Sequence, residues 1–258
     1  MRKVFATRYV TPLREGGSLP AIIEADDDGL YVIKFRGAGQ GPKTLIAELI
    51  AGEIGRAVGL PIPEIVFVEL SEELARTEAD PEIQDLIKVS AGLNLALDYL
   101  PGAIMFNQLA DTPDDMLASS IVWFDSYLTN VDRTIRNPNI LMWNKKIYLI
   151  DQGASLYFHH SWDNYLEKSG NPFGIIKDHV LLPFANSFLE ADKEMKEKIT
   201  KNLIENIVNL IPDTWLAGDT VFDNPIKYKE AYIKYLLKRL EQSNIFVEEA
   251  IRARSIYL

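Results

Sequence analysis

Short apolar runs with alternating polar positions dominate the first hundred residues. Runs rich in β-branched and aromatic residues are bounded by turn residues, and this pattern predicts strands at 4–10, 21–25, 30–35, 64–70 and 92–100. The turn Asp26-Asp27-Asp28-Gly29 predicts a hairpin between the second and third strands. Apolar residues recur at about every 3.6 positions over 44–58, which predicts one helix ending at Gly59.

Beyond residue 114 the apolar positions follow a helical period instead. The stretch 114–129 predicts a buried helix, and 182–212 and 225–257 alternate apolar and charged positions in the same helical fashion. The exception is a pair of apolar runs, 140–143 and 147–150, which predicts two strands joined by a tight polar turn. The pattern as a whole predicts an α+β protein with a β-rich first part and a mainly α-helical second part.

Composition narrows the class of protein without identifying it. The chain has 258 residues, of which 47% are hydrophobic and 25% charged, as expected for a globular protein with a sizeable core. Cysteine is absent, which excludes disulfides and thiolate metal sites. The net charge of -10 argues against direct binding of nucleic acid or anionic lipid. No apolar stretch approaches the length of a membrane span or a secretory signal, so we expect no membrane contact and a cytoplasmic location by default.

Two polar segments carry the candidate chemistry. Asp132 precedes Asn137 by five residues, and Asp151-Gln152-Gly153 follows the last apolar run of the predicted hairpin. Phosphoryl transfer requires a carboxylate that orients or deprotonates the acceptor hydroxyl, together with hard oxygen ligands that hold magnesium against the phosphates. Kinases meet this need with an Asp five residues before an Asn and a second Asp in an Asp-x-Gly turn. The spacing therefore predicts a phosphotransferase in which Asp132 is catalytic and Asn137 and Asp151 bind Mg²⁺.

One run of twelve residues makes the comparison more specific. The run Asn130-Val131-Asp132-Arg133-Thr134-Ile135-Arg136-Asn137-Pro138-Asn139-Ile140-Leu141 resembles the HipA-like serine/threonine kinases and, more distantly, the phosphatidylinositol 3/4-kinases, which also place Arg directly after the catalytic Asp. Ordinary eukaryotic protein kinases place His-Arg before that Asp, and they have Phe where Gln152 stands. The resemblance implies a two-lobed protein-kinase-like fold in a single domain over 1–258, with an N-lobe at 1–100, a hinge near 98–102 and a C-lobe at 103–258.

The resemblance also implies a nucleotide site in the N-lobe. Gly16, Gly17 and Ser18 stand where a loop would cover the ATP phosphates, and paired glycines let backbone amides approach phosphate closely. The segment around Lys34 alone favours a solvated lysine on an open sheet face, but the downstream loops make it the expected phosphate-binding lysine. HipA-like kinases place its partner glutamate eleven residues before the helix-ending glycine, which favours Glu48 and leaves Glu53 as the reserve choice.

Further binding residues follow from the order of the segments. Asp98, Tyr99 and Leu100 precede a Pro-Gly break, where the chain of a kinase crosses between lobes and its backbone groups contact the adenine edge. We expect Arg133 and Arg136 either to neutralise phosphate charge or to anchor the loop to another carboxylate.

The expected activity is ATP- and magnesium-dependent transfer of the γ-phosphoryl group to a hydroxyl, with Ser or Thr of a protein as the expected acceptor. Two alternatives remain open. One is a kinase of the same fold that acts on a small molecule or a lipid head group. The other is a non-catalytic nucleotide-binding regulatory module, including a partner in a toxin-antitoxin-like system. No full-length HipA-like N-terminal extension precedes Gly16, so the antitoxin and DNA partners of the family are not carried over.

Overall fold

The chain divides into two compact units. The computed structural model describes residues 1–13, 19–39 and 41–256. The first unit comprises 1–49 and 63–101, and the second comprises 50–62 and 102–258. Helix α1 (Pro42–Val58) contributes its first turns to one unit and its remainder to the other.

The first unit is built on a closed barrel of strands. These are β1 (Lys3–Pro12), β2 (Ala21–Ala25), β3 (Leu30–Lys34), β4 (Ile65–Leu70) and β5 (Gly92–Asp98). Their order around the barrel is β1-β2-β3-β5-β4, with antiparallel neighbours except at the closure. There β1 and β4 pair in parallel, Val4 lying opposite Val68. Local patterns do not predict this closure, because it joins strands about sixty residues apart.

The barrel interior follows the two-residue period of its strands. Alternate side chains such as Ile23, Ile33 and Val68 are fully buried in one apolar cluster. Helix α2 (Pro81–Val89) adds Ile83 and Ile87 to the same cluster, and the short 3₁₀ helix Glu72–Thr77 precedes it. Ala75 of the 3₁₀ helix lies in the cluster too, so both helices pack against the barrel.

The predicted hairpin between β2 and β3 is confirmed. Ile23 pairs with Tyr31 and Glu24 with Leu30 across the turn. Asp28 adopts a left-handed φ of 60°, and the carboxylate of Asp27 accepts a hydrogen bond of 3.1 Å from the Gly29 amide. Asp and Gly residues tolerate this geometry, so the turn alone accounts for the run of acidic residues.

The second unit is mainly helical. Its first long helix is α3 (Asp115–Leu128), which Asp114 caps by accepting a hydrogen bond of 3.0 Å from the Leu117 amide. The later helices are α4 (Tyr165–Lys168), α5 (Phe188–Lys198), α6 (Lys201–Val208), α7 (Asp213–Leu216), α8 (Pro225–Glu241) and α9 (Ser243–Arg254). Short 3₁₀ helices cover Tyr157–His160, Gly174–Asp178 and Leu182–Phe184.

A small antiparallel sheet combines one strand that precedes α3 with two strands that follow it. Strand β6 (Ile104–Met105) pairs with β7 (Ile140–Trp143), and β7 pairs with β8 (Lys146–Leu149). The turn residues Asn144 and Lys145 both have positive φ, 49° and 62°, as a two-residue type I′ turn requires. The predicted hairpin at 140–150 is therefore present.

Two of the element boundaries that differ from the predictions belong to long helices. Helix α1 begins at Pro42 rather than at residue 44, because proline suits the first helical position, where its missing N–H has no partner to lose. The stretch 225–257 is divided into α8 and α9 at Gln242, which the continuous helical period did not reveal. No helix in the described part of the chain is long and apolar enough to span a bilayer.

Candidate functional site

Lys34 and Glu48 form a buried ion pair in the first unit. Lys34 ends β3, Glu48 lies in the second turn of α1, and their Nζ and Oε2 atoms are 2.6 Å apart. The two side chains are 8% and 0% exposed. Lys34 is therefore not a solvated lysine on an open sheet face, and burial of such a pair requires close geometry to offset its desolvation.

Glu53, the reserve choice, contacts a different cation. Its Oε1 atom lies 2.6 Å from Nη1 of Arg56, one helical turn further along α1. Three residues is a normal spacing for an ion pair on one helix face. The structure thus brings Lys34 to Glu48 and leaves Glu53 on another face.

The predicted adenine-contacting segment has part of its backbone already engaged. The Asp98 amide donates a hydrogen bond of 2.8 Å to the Glu64 carbonyl, and the Tyr99 amide donates one of 3.0 Å to the Leu30 carbonyl. Burial and the nearby charge of Glu64 raise the pKa of the Asp98 carboxyl above its ordinary value. Both amides are therefore engaged within the first unit. The predicted phosphate-loop residues Gly16, Gly17 and Ser18 lie outside the described residues.

In the second unit, two amides fix the carboxylate of Asp132. Nδ2 of Asn137 donates a hydrogen bond of 2.8 Å to Asp132 Oδ2, and Nδ2 of Asn139 lies 3.4 Å from the same oxygen. Asn139 Nδ2 also donates to the Asp132 backbone carbonyl at 2.8 Å. Asn139 is buried, whereas Asn137 is exposed. The side chain of Asp132 is thus oriented before any partner arrives.

The loop that carries Asp132 is anchored by a buried arginine. Nε of Arg133 donates a hydrogen bond of 2.5 Å to Asp125 Oδ2, and its Nη2 donates one of 2.9 Å to Gln152 Oε1. Its Nη1 donates one of 2.5 Å to the Asn139 carbonyl. Both side chains of the Arg133–Asp125 pair are 0% exposed. Of the two roles expected for Arg133, this placement argues against phosphate contact and favours anchoring of the loop, while Arg136 is exposed three residues further on.

His179 completes the anchor. Its Nε2 lies 2.9 Å from Asp125 Oδ2, and its Nδ1 accepts a hydrogen bond of 3.0 Å from the Leu181 amide. An accepting Nδ1 places the proton of the neutral ring on Nε2, which donates to the carboxylate. Asp125 Oδ1 also accepts a hydrogen bond of 3.1 Å from Asn130 Nδ2.

Burial and pairing shift the pKa values of Asp125 and His179 in opposite directions. Burial by itself raises the pKa of the Asp125 carboxyl, but the charge of Arg133 and the hydrogen bond from His179 outweigh it, so the pKa is lowered. Burial lowers the pKa of the His179 imidazole, and its hydrogen bond to Asp125 only partly compensates. The cluster therefore holds an ionised Asp125 beside a neutral His179 at neutral pH.

The hairpin joins the Asp132 loop to the Asp151 loop. Ile140 pairs with Leu149, and just beyond that pair the Ile150 amide donates a hydrogen bond of 3.0 Å to the Asn139 carbonyl. Asp151 follows with a left-handed φ of 54°, a conformation that costs energy for a non-glycine residue and often marks functional sites. Gln152 is buried and accepts from Arg133, which a phenylalanine at this position could not do.

The donor set around these loops suits magnesium. Because Nδ2 of Asn137 faces the carboxylate of Asp132, the amide oxygen of Asn137 is directed away from it. Asp151 adds a carboxylate, and Mg²⁺ prefers a few such oxygens while retaining part of its water shell. Among the described residues no three His, Cys, Asp or Glu side chains form a metal-binding group. An amide oxygen and a carboxylate oxygen are ligand types that Mg²⁺ accepts.

Sequence reasoning missed the buried half of this site. Asp125 lies in the apolar helix α3, where a lone acid at 0% exposure requires a partner. An acidic residue within an otherwise apolar helix is therefore the sequence signal that indicates a buried polar cluster at Asp125. His179 carried no comparable signal, because its partner lies fifty-four residues away. Asn139 bridges the backbone carbonyl and the side chain of Asp132, which its place in the run 130–141 does not predict.

The fold and the two candidate half-sites define a class of protein. A β-rich unit with a buried Lys-Glu pair and a helical unit with an oriented Asp in an Asn-containing loop constitute a two-lobed protein-kinase-like fold. The sequence matches the family model of the HipA-like kinases over residues 7–249. The chain therefore belongs to the HipA-like kinase family and is a phosphotransferase by family.

The chain is also similar to solved kinase structures of low sequence identity. The crystal structure of the Helicobacter pylori proinflammatory kinase CtkA is similar, with 14% identity, a TM-score of 0.55, and coverage of 97% of this chain and 98% of that one. The Golgi casein kinase with Mn/ADP bound has 12% identity, a TM-score of 0.49, and coverage of 96% of this chain and 73% of that one. No curated protein matches the chain.

Proposed function

We propose that this protein is an ATP- and magnesium-dependent kinase that transfers the γ-phosphoryl group to a Ser or Thr hydroxyl of a protein. The observation that carries the proposal is the orientation of the Asp132 carboxylate by Asn137, at 2.8 Å, in a loop fixed by Arg133 and Asp125. Catalysis of phosphoryl transfer depends on positioning and charge stabilisation, and such a loop supplies positioning before the substrates bind.

Asp132 orients the acceptor hydroxyl and accepts its proton. The acceptor oxygen forms a new bond to the γ-phosphorus, the bond from that phosphorus to the β–γ bridging oxygen breaks, and ADP leaves. Oδ2 of Asp132 is occupied by Asn137 and lies near Asn139, so Oδ1 is the oxygen that faces the acceptor. The anchor through Arg133 keeps the carboxylate from rotating away during the reaction.

Asn137 and Asp151 hold Mg²⁺ through an amide and a carboxylate oxygen. When bound, the metal ion neutralises charge on the phosphate oxygens of the nucleotide. The hydrogen bond from Ile150 to Asn139, 3.0 Å long, fixes the start of the Asp151 loop relative to the Asp132 loop. The two proposed ligands therefore flank the β7–β8 hairpin, one on each side.

Lys34 contacts the nucleotide phosphates, and Glu48 positions its ammonium group. The 2.6 Å pair supports this role because a buried lysine needs a specific reason to be retained inside a barrel wall. Gly16, Gly17 and Ser18 would cover the phosphates, and Asp98 to Leu100 would contact the adenine. Arg136 is the exposed arginine available for phosphate charge.

A radiolabelled γ-phosphate transfer assay tests the proposal. We expect the wild type to label itself or a protein in a lysate in the presence of Mg²⁺, and Asp132→Asn to lose about 10²-fold or more of the rate. Lys34→Met should weaken ATP-dependent thermal stabilisation as well as transfer. The matched control is Asp163→Asn, an exposed acid outside the site, which should retain wild-type activity.

The outcomes separate the alternatives. Transfer to small hydroxyl compounds but to no protein would favour the small-molecule or lipid-head-group kinase. Stabilisation by ATP and Mg²⁺ without transfer to protein, small molecule or water would favour a regulatory nucleotide-binding module. Absence of ATP binding would overturn the proposal.

A further inference from the structure

An open depression of about 420 Å³ lies between the start of α5 and the end of α9 in the second unit. Ala185 and Phe188 are buried and form its floor. Leu189 and Ile251 line it as well, and they are 68% and 41% exposed. Ile256, five residues beyond Ile251, is also exposed. Exposed apolar side chains grouped in this way and bordered by polar residues are typical of protein interfaces.

The wall at the start of α5 is fixed to α3. The Asn186 amide and the Ser187 hydroxyl donate hydrogen bonds of 2.5 and 3.0 Å to the two carboxylate oxygens of Asp115. The Ser187 amide donates one of 2.9 Å to the Ser119 hydroxyl. Leu189 therefore projects from a segment that is already ordered, and a preformed surface loses little conformational entropy when it binds.

Two side chains of opposite charge, Glu190 and Arg254, also line the depression, and neither has an ion pair with any residue that the structure describes. Arg252, two positions before Arg254, differs in this respect. Its Nε and Nη2 donate hydrogen bonds of 2.9 and 2.6 Å to the Glu249 carboxylate. Nε of Arg254 is buried and has no acceptor among the described residues. The guanidinium of Arg254 is therefore available to a carboxylate from outside the chain.

This combination of groups is self-complementary. A two-fold axis brings the same patch of two copies face to face, so each contact between different residues forms twice with the roles exchanged. Glu190 of each copy would meet Arg254 of the other, and Leu189 of each would enter the depression of the other. Another protein would have to present both charges in a matching arrangement, whereas a second copy presents them by symmetry.

We propose that the surface formed by Leu189, Glu190, Ile251 and Arg254 joins two copies of the chain in a two-fold symmetric dimer. Contact between Leu189 and the apolar floor supplies the attraction, and the two Glu190–Arg254 pairs set the register. The surface consists of two helix ends, and small interfaces are typical of weak association, so the dimer dissociates on dilution. The dimer does not depend on the proposed kinase activity, because it uses none of the residues assigned to that activity.

Sedimentation velocity of the full chain over about a hundredfold range of concentration tests the dimer and its charge pairs. We expect the wild type to pass from monomer to dimer as its concentration rises. Glu190→Arg and Arg254→Glu each place like charges opposite one another and should raise the Kd of the dimer about tenfold or more. The double variant Glu190→Arg/Arg254→Glu restores both pairs with exchanged signs, so its Kd should return to within about threefold of the wild-type value.

Leu189→Asp tests the apolar contact and should raise the Kd about tenfold or more. Ile226→Asp is the matched control, because Ile226 is also 68% exposed and also lies at the start of a helix, α8. Glu82→Arg, in α2 of the first unit, changes the net charge by the same amount as Glu190→Arg. Both controls should keep the wild-type Kd, and thermal melting would verify that every variant is folded.

Three outcomes would overturn the proposed dimer. One is a wild type that stays monomeric at every concentration, and another is a dimer that Leu189→Asp leaves intact. The third is growth into larger species as the concentration rises, which indicates a head-to-tail contact instead of a two-fold one. A double variant that associates as weakly as either single variant would contradict the pairing of Glu190 with Arg254.

Discussion

At the residue scale, the most informative group is a buried acid rather than Asp132, the partly exposed catalytic candidate. Asp125 accepts hydrogen bonds from Arg133, His179 and Asn130, and all of these partners are buried. An ionised carboxylate inside a protein is retained only where charge and hydrogen bonds compensate for desolvation. The arginine that follows Asp132 in the sequence is therefore best understood as the link between the catalytic loop and the helix beneath it.

This cluster makes stability depend on pH in a defined direction. In the folded protein the pKa of His179 lies below its ordinary value of 6.5. Below about pH 6.5 the unfolded chain therefore binds a proton at this histidine that the folded chain does not bind. The free energy of unfolding should therefore fall as the pH drops from 6.5 towards the folded pKa, by up to about 1.4 kcal/mol per pH unit. Urea denaturation at several pH values measures this slope.

His179→Gln isolates the contribution, because glutamine keeps a donor for Asp125 but does not titrate. We expect a flatter slope below pH 6.5 in this variant. His160→Gln replaces a partly exposed histidine and should keep the wild-type slope. Identical slopes for wild type and His179→Gln would contradict the assignment of a neutral buried imidazole.

At the element scale, the β7–β8 hairpin positions the two candidate loops, and its turn is not optimal. Asn144 suits a positive φ, but Lys145, at 62°, carries a Cβ that disfavours this conformation. Lys145→Gly should therefore stabilise the protein by about 0.5 kcal/mol, after allowance for the greater flexibility of glycine in the unfolded chain. Lys145→Val should destabilise it by more than about 1 kcal/mol.

The neighbouring lysine provides the control for the turn. Lys146 lies in β8 and pairs with Trp143, so Lys146→Gly should destabilise by about 0.5–1 kcal/mol. Chemical denaturation of Lys145→Gly, Lys145→Val and Lys146→Gly gives the order of their free energies of unfolding. Equal effects of glycine at 145 and 146 would show that the turn geometry does not govern stability here.

Helix α3 is held at its C-terminal end by a second buried arginine. Arg239 of α8 donates hydrogen bonds to the carbonyls of Ser126 and Tyr127 at 2.7 and 2.8 Å, and to that of Ser169 at 2.9 Å. A cation at this end of a helix binds its unpaired carbonyls and complements its dipole. Since α3 leads directly into the Asp132 loop, this contact fixes the origin of the loop.

Replacement of Arg239 should therefore be costly. Arg239→Met leaves several buried carbonyls without donors, and we expect a loss of about 3 kcal/mol in the free energy of unfolding. Arg252→Met removes an exposed arginine paired with Glu249, and we expect less than about 1 kcal/mol. Denaturant titration of both variants makes the comparison, and equal losses would refute the capping role.

At the scale of the whole molecule, α1 is the element shared by the two units. Residues 42–49 belong to the barrel unit and 50–58 to the helical unit. Ala51 is fully buried at the start of the second part. Ala51→Pro would remove a helix hydrogen bond and clash with the preceding turn, at a cost of about 3 kcal/mol or more.

We expect this proline to reduce protection in both units, because it disrupts the helix that both share. Hydrogen exchange measured by mass spectrometry resolves the effect segment by segment. Glu248→Pro in α9, which lies wholly in the second unit, should reduce protection there and leave the barrel strands protected. Native protection of the barrel in Ala51→Pro would contradict the shared role of α1.

Local sequence patterns predict much of the fold. The hairpin at 26–29, helix α3 and the β7–β8 hairpin follow from periodicity and turn chemistry, since each is decided by neighbours a few residues apart. The parallel closure of β1 on β4 was not visible, because it depends on contacts between distant segments. The break at Gln242 interrupts an otherwise continuous helical period and was not visible either.

The sequence by itself determined the class of chemistry, through the spacing of Asp132, Asn137 and Asp151 and the arginine beside Asp132, because a catalytic loop is a local motif. Only the tertiary structure decided which glutamate meets Lys34 and that Arg133 points inward to Asp125. These facts depend on where helices and loops bring side chains from remote positions. A one-dimensional pattern records the residue types but not the partners that burial selects.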